Sequence, residues 1–421
     1  MNEKSNILIK GYPEDFIVAE KMSSLKIREF TSAKFGKFSI FTLKKRGVDM
    51  ISAIRALSRV YNIRERGFSY AGTKDKNAIT FQYCSALGKV YDKRISFGSS
   101  GDFIEVKRIG YSQRPISLGD HTGNEFVIKV RNATQDKEYL LPKFILHNEN
   151  KEGGVSNYSL GKGDIMLIPN YFDSQRFGLM CNNHLIGKLI VLSRFKEAVD
   201  LIKEQMKEKI SPRLLSLFGI EFLKALNTKQ AMMYVHSYQS FIFNKAISSY
   251  IKENYDSFEL EYKFGKLAFP KKEEIKRLAK RRYQKVSLAG FGFEREGLID
   301  GYVLKEMEKE QIKERDFIVR QIPTLSAESH KRDFLIRLKQ FSIKEEEFKK
   351  EGRAKNQEDD YKENKNEGCS RIDDDIKFLG YKKNNRINEK KRVYEVKFTL
   401  GKGNYATIVI AGLFNQRPIV P

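Results

Sequence analysis

The residues with the clearest chemical potential form one short stretch, Tyr70-Ala71-Gly72-Thr73-Lys74-Asp75-Lys76-Asn77-Ala78-Ile79-Thr80-Phe81-Gln82. A single carboxylate, Asp75, stands between two lysines shortly after a glycine. Phe68 and Tyr70 lead in, and Ile79, Phe81 and Tyr83 resume a period-2 pattern. That spacing predicts a strand that pauses at Gly72 and restarts near Ile79, with Asp75 on a permissive bend. In an extended segment side chains alternate, so Lys74 and Lys76 point away from the face that Asp75 occupies. Asp75 then faces a pocket, while Lys74 and Lys76 face the phosphates of an RNA. An ordinary solvated hairpin turn uses the same residue types, and taken alone the stretch fits that reading too.

A second group lies in Ile168-Pro169-Asn170-Tyr171-Phe172-Asp173-Ser174-Gln175-Arg176-Phe177-Gly178. An amide such as Asn170 reads the polar edge of a base, a ring such as Phe172 stacks on it, and Arg176 holds a phosphate. A strand-to-helix turn with its rings in the core is the alternative. Arg332, in the loop Leu325-Ser326-Ala327-Glu328-Ser329-His330-Lys331-Arg332, is a further candidate RNA contact.

Composition supports a polyanionic partner. The 421 residues give room for two or three domains, and 78 Lys+Arg against 54 Asp+Glu leave a formal charge of +24. Neutralising phosphates releases counterions, so a basic excess of this size favours nucleic acid. The 30 Phe and 20 Tyr, with no Trp, suit looped or single-stranded RNA, where bases stack on rings. Cys84, Cys181 and Cys369 are too few and too scattered for a disulfide framework or a zinc site, and the five histidines have no ligand spacing. No P-loop is present, and Gly290-Phe291-Gly292 lacks the third glycine of a dinucleotide fingerprint. No apolar run approaches a membrane span, and Met1 to Lys10 holds no signal-peptide core. These features predict a cytoplasmic protein, or a nuclear one in a eukaryotic host, with no metal or cofactor and no membrane contact.

The elements that must position these residues follow from periodicity. Residues 7–20 read as strand, turn and strand around Pro13, and Phe38 to Leu43 as a strand that ends at Lys44-Lys45-Arg46-Gly47. A helix follows with Ile51, Ile54, Leu57 and Tyr61 on one stripe. Asn124 to Val130 is a further strand. From about residue 185 helical spacing takes over, in Val191, Phe195, Ala198, Val199, Ile202 and Met206 and again in Tyr234, Tyr238, Ile242 and Ala246. Residues 344–392 are a charged, apolar-poor run that cannot offset its ordering entropy, and read as a flexible insert. Strands return at Tyr394 to Leu400 and Tyr405 to Ile410.

Together the stretches resemble the TruD family of pseudouridine synthases. The resemblance is carried, in the family's order, by Pro13-Glu14-Asp15-Phe16-Ile17-Val18-Ala19-Glu20, by Ala71-Gly72-Thr73-Lys74-Asp75-Lys76 and by Gly123-Asn124-Glu125-Phe126. It continues in Asn170-Tyr171-Phe172 with Gln175-Arg176-Phe177-Gly178, in Gln239-Ser240 with Phe243-Asn244, and in Gly403-Asn404-Tyr405-Ala406-Thr407. It implies an α+β fold whose catalytic domain, with a central antiparallel sheet, is made from residues 1–184 and 393–421. A mostly helical inserted TRUD domain would span 185–343, with the charged insert at 344–392. The implied activity is isomerisation of a uridine, at position 13 of tRNA, to pseudouridine by a monomer that acts on tRNA and other structured RNAs. Asp75 matches the family's catalytic aspartate and Lys10 a lysine beside it. Phe16, Asn170 and Tyr405 match substrate-contacting positions, and Phe172 an aromatic that flanks the target base. The chain departs from the family where Arg-Glu often follows the Tyr-Ala-Thr segment; here the stretch is Ile410-Ala411-Gly412-Leu413. The competing readings are an RNA-binding or RNA-chaperone protein on the same fold and a glycosidase acting on nucleic acid. A glycosidase would ordinarily need a second acid beside Asp75.

Overall fold

The computed structural model describes residues 7–117, 119–134, 145–146, 157–161, 163–178, 180–206, 210–338, 340–346 and 392–420. Most of the charged run at 344–392, namely residues 347–391, lies outside the described residues. The chain is α+β. Its main element is a 10-stranded sheet. Across it run Lys93–Phe97, Asp102–Ser112, Phe38–Arg46, Ile79–Leu87, Phe16–Lys21, Gly123–Ala133, Arg392–Gly401, Phe341–Glu346 and Asn157–Ser159, with Phe68–Tyr70 also paired to Ile79–Leu87. Every pairing is antiparallel except Phe16–Lys21 with Ile79–Leu87, which is parallel.

Register puts one buried row of side chains across the middle of this sheet. Phe16 sits opposite Ile128 and Val18 opposite Phe126, and the row continues into Val396 and Phe398 on one side and Thr80 on the other. The helix Met50–Tyr61, capped by Asp49 on the Ser52 amide, packs its Met50, Ala53, Ile54 and Leu57 against Phe41, Leu43 and Cys84. Ile51 is 62% exposed, so the buried stripe starts one residue earlier than the expected Ile51-Ile54-Leu57 set.

Tyr405 to Ile410, expected as a strand, is the start of a helix, Ala406–Phe414. All nine of its residues are buried, so the run is apolar on every side and its periodicity carries no information about helix or strand. Its β-branched content misleads, because tertiary burial outweighs local propensity.

Between residues 183 and 309 the chain is mainly helical, with Asn183–Val191, Phe195–Met206, Thr228–Asn254 and Leu298–Lys309 as its longer helices. Gly187 lets the first approach the third closely, since a Cβ there would lie 2.1 Å from the Tyr234 carbonyl oxygen. The span also holds the hairpin Ser257–Tyr262 with Gly265–Pro270, and a ribbon in which Lys285–Ser287 pairs with Lys331–Asp333. Lys331 and Arg332, expected at the end of a loop, thus belong to a strand. Leu335–Leu338 and Phe341–Glu346 return the chain to Ile165–Pro169 and to the large sheet. One continuous hydrophobic core joins Phe16, Phe126 and Phe398 of the sheet to Phe172, Phe243 and Tyr238.

Candidate active site

The Asp75 segment is the loop between Phe68–Tyr70 and Ile79–Leu87 and is held by three lysines. Lys10 Nζ donates to Asp75 Oδ2 at 2.6 Å; the lysine side chain is almost fully buried and that of Asp75 is 49% exposed. The same ammonium lies 4.2 Å from the centre of the Phe16 ring. Lys45 is fully buried, and its ammonium donates to the carbonyl oxygens of Lys74 at 3.1 Å and Asp75 at 2.5 Å. Burial lowers the Lys45 pKa to about 8, against the opposing pull of the Asp75 and Asp49 charges. Lys74 pairs with the buried Glu20 at 2.7 Å, and Glu20 also accepts from the Tyr83 amide. The backbone is therefore tied down on both sides of Asp75, while its carboxylate stays open to solvent.

Lys10 is aimed by its own backbone. Leu8 bridges to both Arg131 and Ile419, and Lys10 then takes a left-handed conformation, φ 60°. A side-chain-bearing residue is seldom found there unless its surroundings fix it. The turn that follows, Pro13–Asp15, is fixed by the buried Asp15 carboxylate. It accepts the Tyr12 amide at 3.0 Å and a two-point grip from Arg131 at 2.9 and 2.7 Å. Gly72, expected as the permissive bend, has no left-handed φ, and a Cβ there would meet nothing closer than 3.8 Å. The strained position on which this site depends is Lys10.

A second cluster forms where Ile165–Pro169 ends. Asn244, midway along the Thr228–Asn254 helix, accepts from the Phe172 amide and donates to the Phe172 carbonyl, each at 2.8 Å. Phe172 meets Phe243 and Tyr405 edge-on, with centroids 5.4 and 6.1 Å apart. Arg332 lies over the Phe172 ring at 4.0 Å, and its Nη2 donates to Asn170 Oδ1 at 2.6 Å and to the Gly403 carbonyl at 2.9 Å. Asn170 completes its amide by donating to the Asp333 carbonyl at 2.9 Å. Arg176 donates to Ser240 Oγ at 3.1 Å. Burial lowers the Arg332 pKa to about 10 and raises that of Tyr405 above the usual phenol value.

The structure thus brings the expected residues together in two groups, Lys10, Phe16 and Asp75 in one and Asn170, Phe172, Arg176, Arg332 and Tyr405 in the other. Lys76 is exposed, and its ammonium makes no ion pair among the described residues. Lys74 does not face outward as expected, because the buried Glu20 carboxylate draws it inward. Asn170 and Arg332 are occupied with each other, and Arg332 is a half-buried internal strut. Lys45 escaped the sequence reading because the strand was expected to end at Leu43. It runs to Arg46, and the alternation Phe41, Leu43, Lys45 carries the signal. Asn244, Ser240 and Gln239 are the other functional groups without an expected role; Gln239 ties the Ala289 and Glu328 carbonyls together at 2.7 and 3.1 Å.

The family model described as tRNA pseudouridine synthase D (TruD) matches residues 2–215 and 220–412. The chain belongs to the TruD family. The probable tRNA pseudouridine synthase D of Pyrococcus furiosus is 30% identical over 58% of this chain and 62% of its own length. That of Archaeoglobus fulgidus is 31% identical over 58% of this chain and 62% of its own. The chain thus spans less than two thirds of the length of these curated relatives that it matches. The probable tRNA pseudouridine synthase D 1 of Methanococcus maripaludis aligns over 96% of this chain and 98% of its own, at 25% identity. A solved TruD structure from Methanosarcina mazei shares the fold, with a TM-score of 0.60 at 21% identity over 99% of this chain and 94% of that one.

Proposed function

We propose that this chain isomerises a uridine of tRNA, at position 13, to pseudouridine, with Asp75 as the catalytic carboxylate. The observation that carries the proposal is the Asp75–Lys10 pair at 2.6 Å, with the lysine buried and the carboxylate half exposed. The reaction breaks the C1′–N1 bond, turns the uracil and forms C1′–C5; N1 gains a proton and C5 loses one, with no net redox change. A single carboxylate suffices to divide such a step, either by attacking the ribose or by taking a proton from it. The buried Lys10 charge favours the ionised carboxylate at close range. Lys45 fixes the backbone so that the carboxylate is presented without searching.

The target uridine leaves its stack to be reached. Phe16, beneath the Lys10 ammonium, and Tyr405, beside Phe172, are the rings assigned to the wall of the uridine site. At Phe172 the guanidinium of Arg332 already covers the ring at 4.0 Å, so a uracil stacking there takes its place. Asn170 acts by orienting Arg332, its amide being fully engaged in the resting arrangement. Lys76 and Arg176 are the cations assigned to RNA phosphates. The proposal is tested by incubating the full chain with unmodified tRNA transcripts and mapping pseudouridine by carbodiimide chemistry. Pseudouridine at position 13 is the expected result. Binding of RNA with no pseudouridine in any transcript or in total RNA contradicts the proposal and leaves an RNA-binding protein.

A further inference from the structure

A basic groove lies on the far side of the Lys285–Ser287/Lys331–Asp333 ribbon from the site. In the ribbon Val286 pairs with Arg332, the residue that reaches Asn170 and Phe172. Lys285 and Asp333, and Ser287 and Lys331, alternate to the opposite face. That face borders an open groove of about 650 Å³, lined among others by Lys280, Arg281, Tyr283, Lys285 and Lys331. Of the basic run Lys276, Arg277, Lys280, Arg281, Arg282 and Lys285, which begins in the short helix Ile275–Ala279, Lys280, Arg281 and Lys285 line the groove.

Charge and aromatic exposure coincide there. Tyr283 is 68% exposed, and two guanidiniums lie near its ring, Arg282 at 5.0 Å and Arg337 at 4.9 Å from its centre. Three nearby acids are paired with cations. Glu296 pairs with Lys331, Asp333 with Arg337, and Glu274 with Arg277. The buried Asp300 accepts the amides of Ser287, Glu296 and Gly297. Lys280, Arg281 and Lys285 are exposed and form no ion pair among the described residues. An exposed ring beside guanidiniums and bordered by cations without ion pairs has the chemistry for one unpaired base and its adjoining phosphates.

We infer that this groove holds an unpaired stretch of the substrate RNA outside the catalytic centre, with a base stacked on Tyr283 and phosphates on Lys280, Arg281 and Lys285. The inference rests on the RNA-modifying reading above for the identity of the RNA, and on its own geometry for the groove. The ribbon makes the connection, since its two faces belong to the site and to the groove.

The test measures binding of an unmodified tRNA transcript by the full chain across a salt series, with single-turnover conversion at saturating protein. Lys280→Gln/Arg281→Gln/Lys285→Gln is expected to lower the slope of log Kd against log salt by about 2, near 0.7–0.9 per lost phosphate contact. Tyr283→Ala is expected to weaken binding by about 10-fold at every salt concentration, the scale of one lost base stack, whereas Tyr283→Phe binds as the wild type. Neither change alters the rate at saturation. Wild-type Kd and slope in both the triple variant and Tyr283→Ala overturn the inference. If the wild type binds tRNA and the variants weaken it as expected but no uridine is converted, the groove stands and the catalytic reading fails. If uridine is converted and the variants bind as wild type, the groove fails alone.

Discussion

The two halves of the site are held by different forces. The Asp75 segment is positioned by charge: Lys10 on the carboxylate, Lys45 on two backbone oxygens and Lys74 on buried Glu20. The Phe172 segment is positioned by a hydrogen-bond network without a carboxylate–ammonium pair: the Asn244 amide grips both the Phe172 amide and its carbonyl, and the Arg332 guanidinium ties Asn170 to Gly403. Exposure differs in the same sense, 49% for the Asp75 side chain against 6% for Phe172 and 1% for Asn170. A reacting carboxylate has to stay accessible and ionised, so opposing charges are the effective restraint for it. A recognition surface has to hold its shape, and a network of satisfied buried hydrogen bonds does that.

The contrast yields different consequences for damage to each half. Lys74→Ala leaves the Glu20 carboxylate buried without its cation, and breaking such a pair costs about 3–5 kcal/mol. Urea unfolding is expected to show that loss, with much of it restored in the Glu20→Gln/Lys74→Met double variant; an unchanged midpoint in Lys74→Ala would refute the anchoring role. Lys10→Met removes the charge beside Asp75 and is expected to slow single-turnover conversion by about 100-fold, the scale of one lost electrostatic contact at a reacting centre. Binding of tRNA should not change, and a parallel loss of binding would place Lys10 in recognition. Asn170→Ala removes one of the two acceptors of Arg332 Nη2 and the side-chain donor to the Asp333 carbonyl, and is expected to cost about 1–3 kcal/mol of stability, measurable in the same urea series.

Protons separate the halves as well. Burial pushes His184 and His236, both near the Phe172 half, down to about 4 from 6.5. Between those values the unfolded chain holds more protons than the folded one, so stability falls as pH drops from about 7 towards 4. Lys45 lies at about 8 against 10.5 unfolded. The cost of burying its charge is fully present below pH 8 and is relieved as pH rises towards 10.5. Urea stability of the wild type relative to Lys45→Met should therefore improve between pH 7.5 and 10. A pH-independent difference would show that the ammonium is not desolvated.

How far the sequence could be read follows the same division. Asp75 and its neighbours lie within a contiguous stretch, and their resemblance to a family motif points to the carboxylate directly. Lys10 carries no local signal, because its role depends on a left-handed backbone and on a partner 65 residues away. Lys45 does carry one, in phase with Phe41 and Leu43, but a lysine on the buried side of a strand is ordinarily an argument that the strand has ended. The Phe172 half depends on Asn244 and Arg332, which lie 72 and 162 residues from their partners. Periodicity gives the helix that carries Asn244 and cannot say which loop its polar side chain will meet. The helix Ala406–Phe414 eludes a reading by pattern for a simpler reason: uniform burial erases the pattern.

The central claim is that a fixed, ionised carboxylate at Asp75 performs the chemistry, and Asp75→Asn tests it most directly. The amide keeps the size and most hydrogen-bonding geometry of the side chain and removes its charge. Single-turnover conversion of a tRNA transcript should fall by about 1,000-fold or more, equivalent to roughly 4 kcal/mol of barrier, while tRNA affinity stays at the wild-type value. Conversion at a rate near that of the wild type would contradict the account and move the chemistry to another residue.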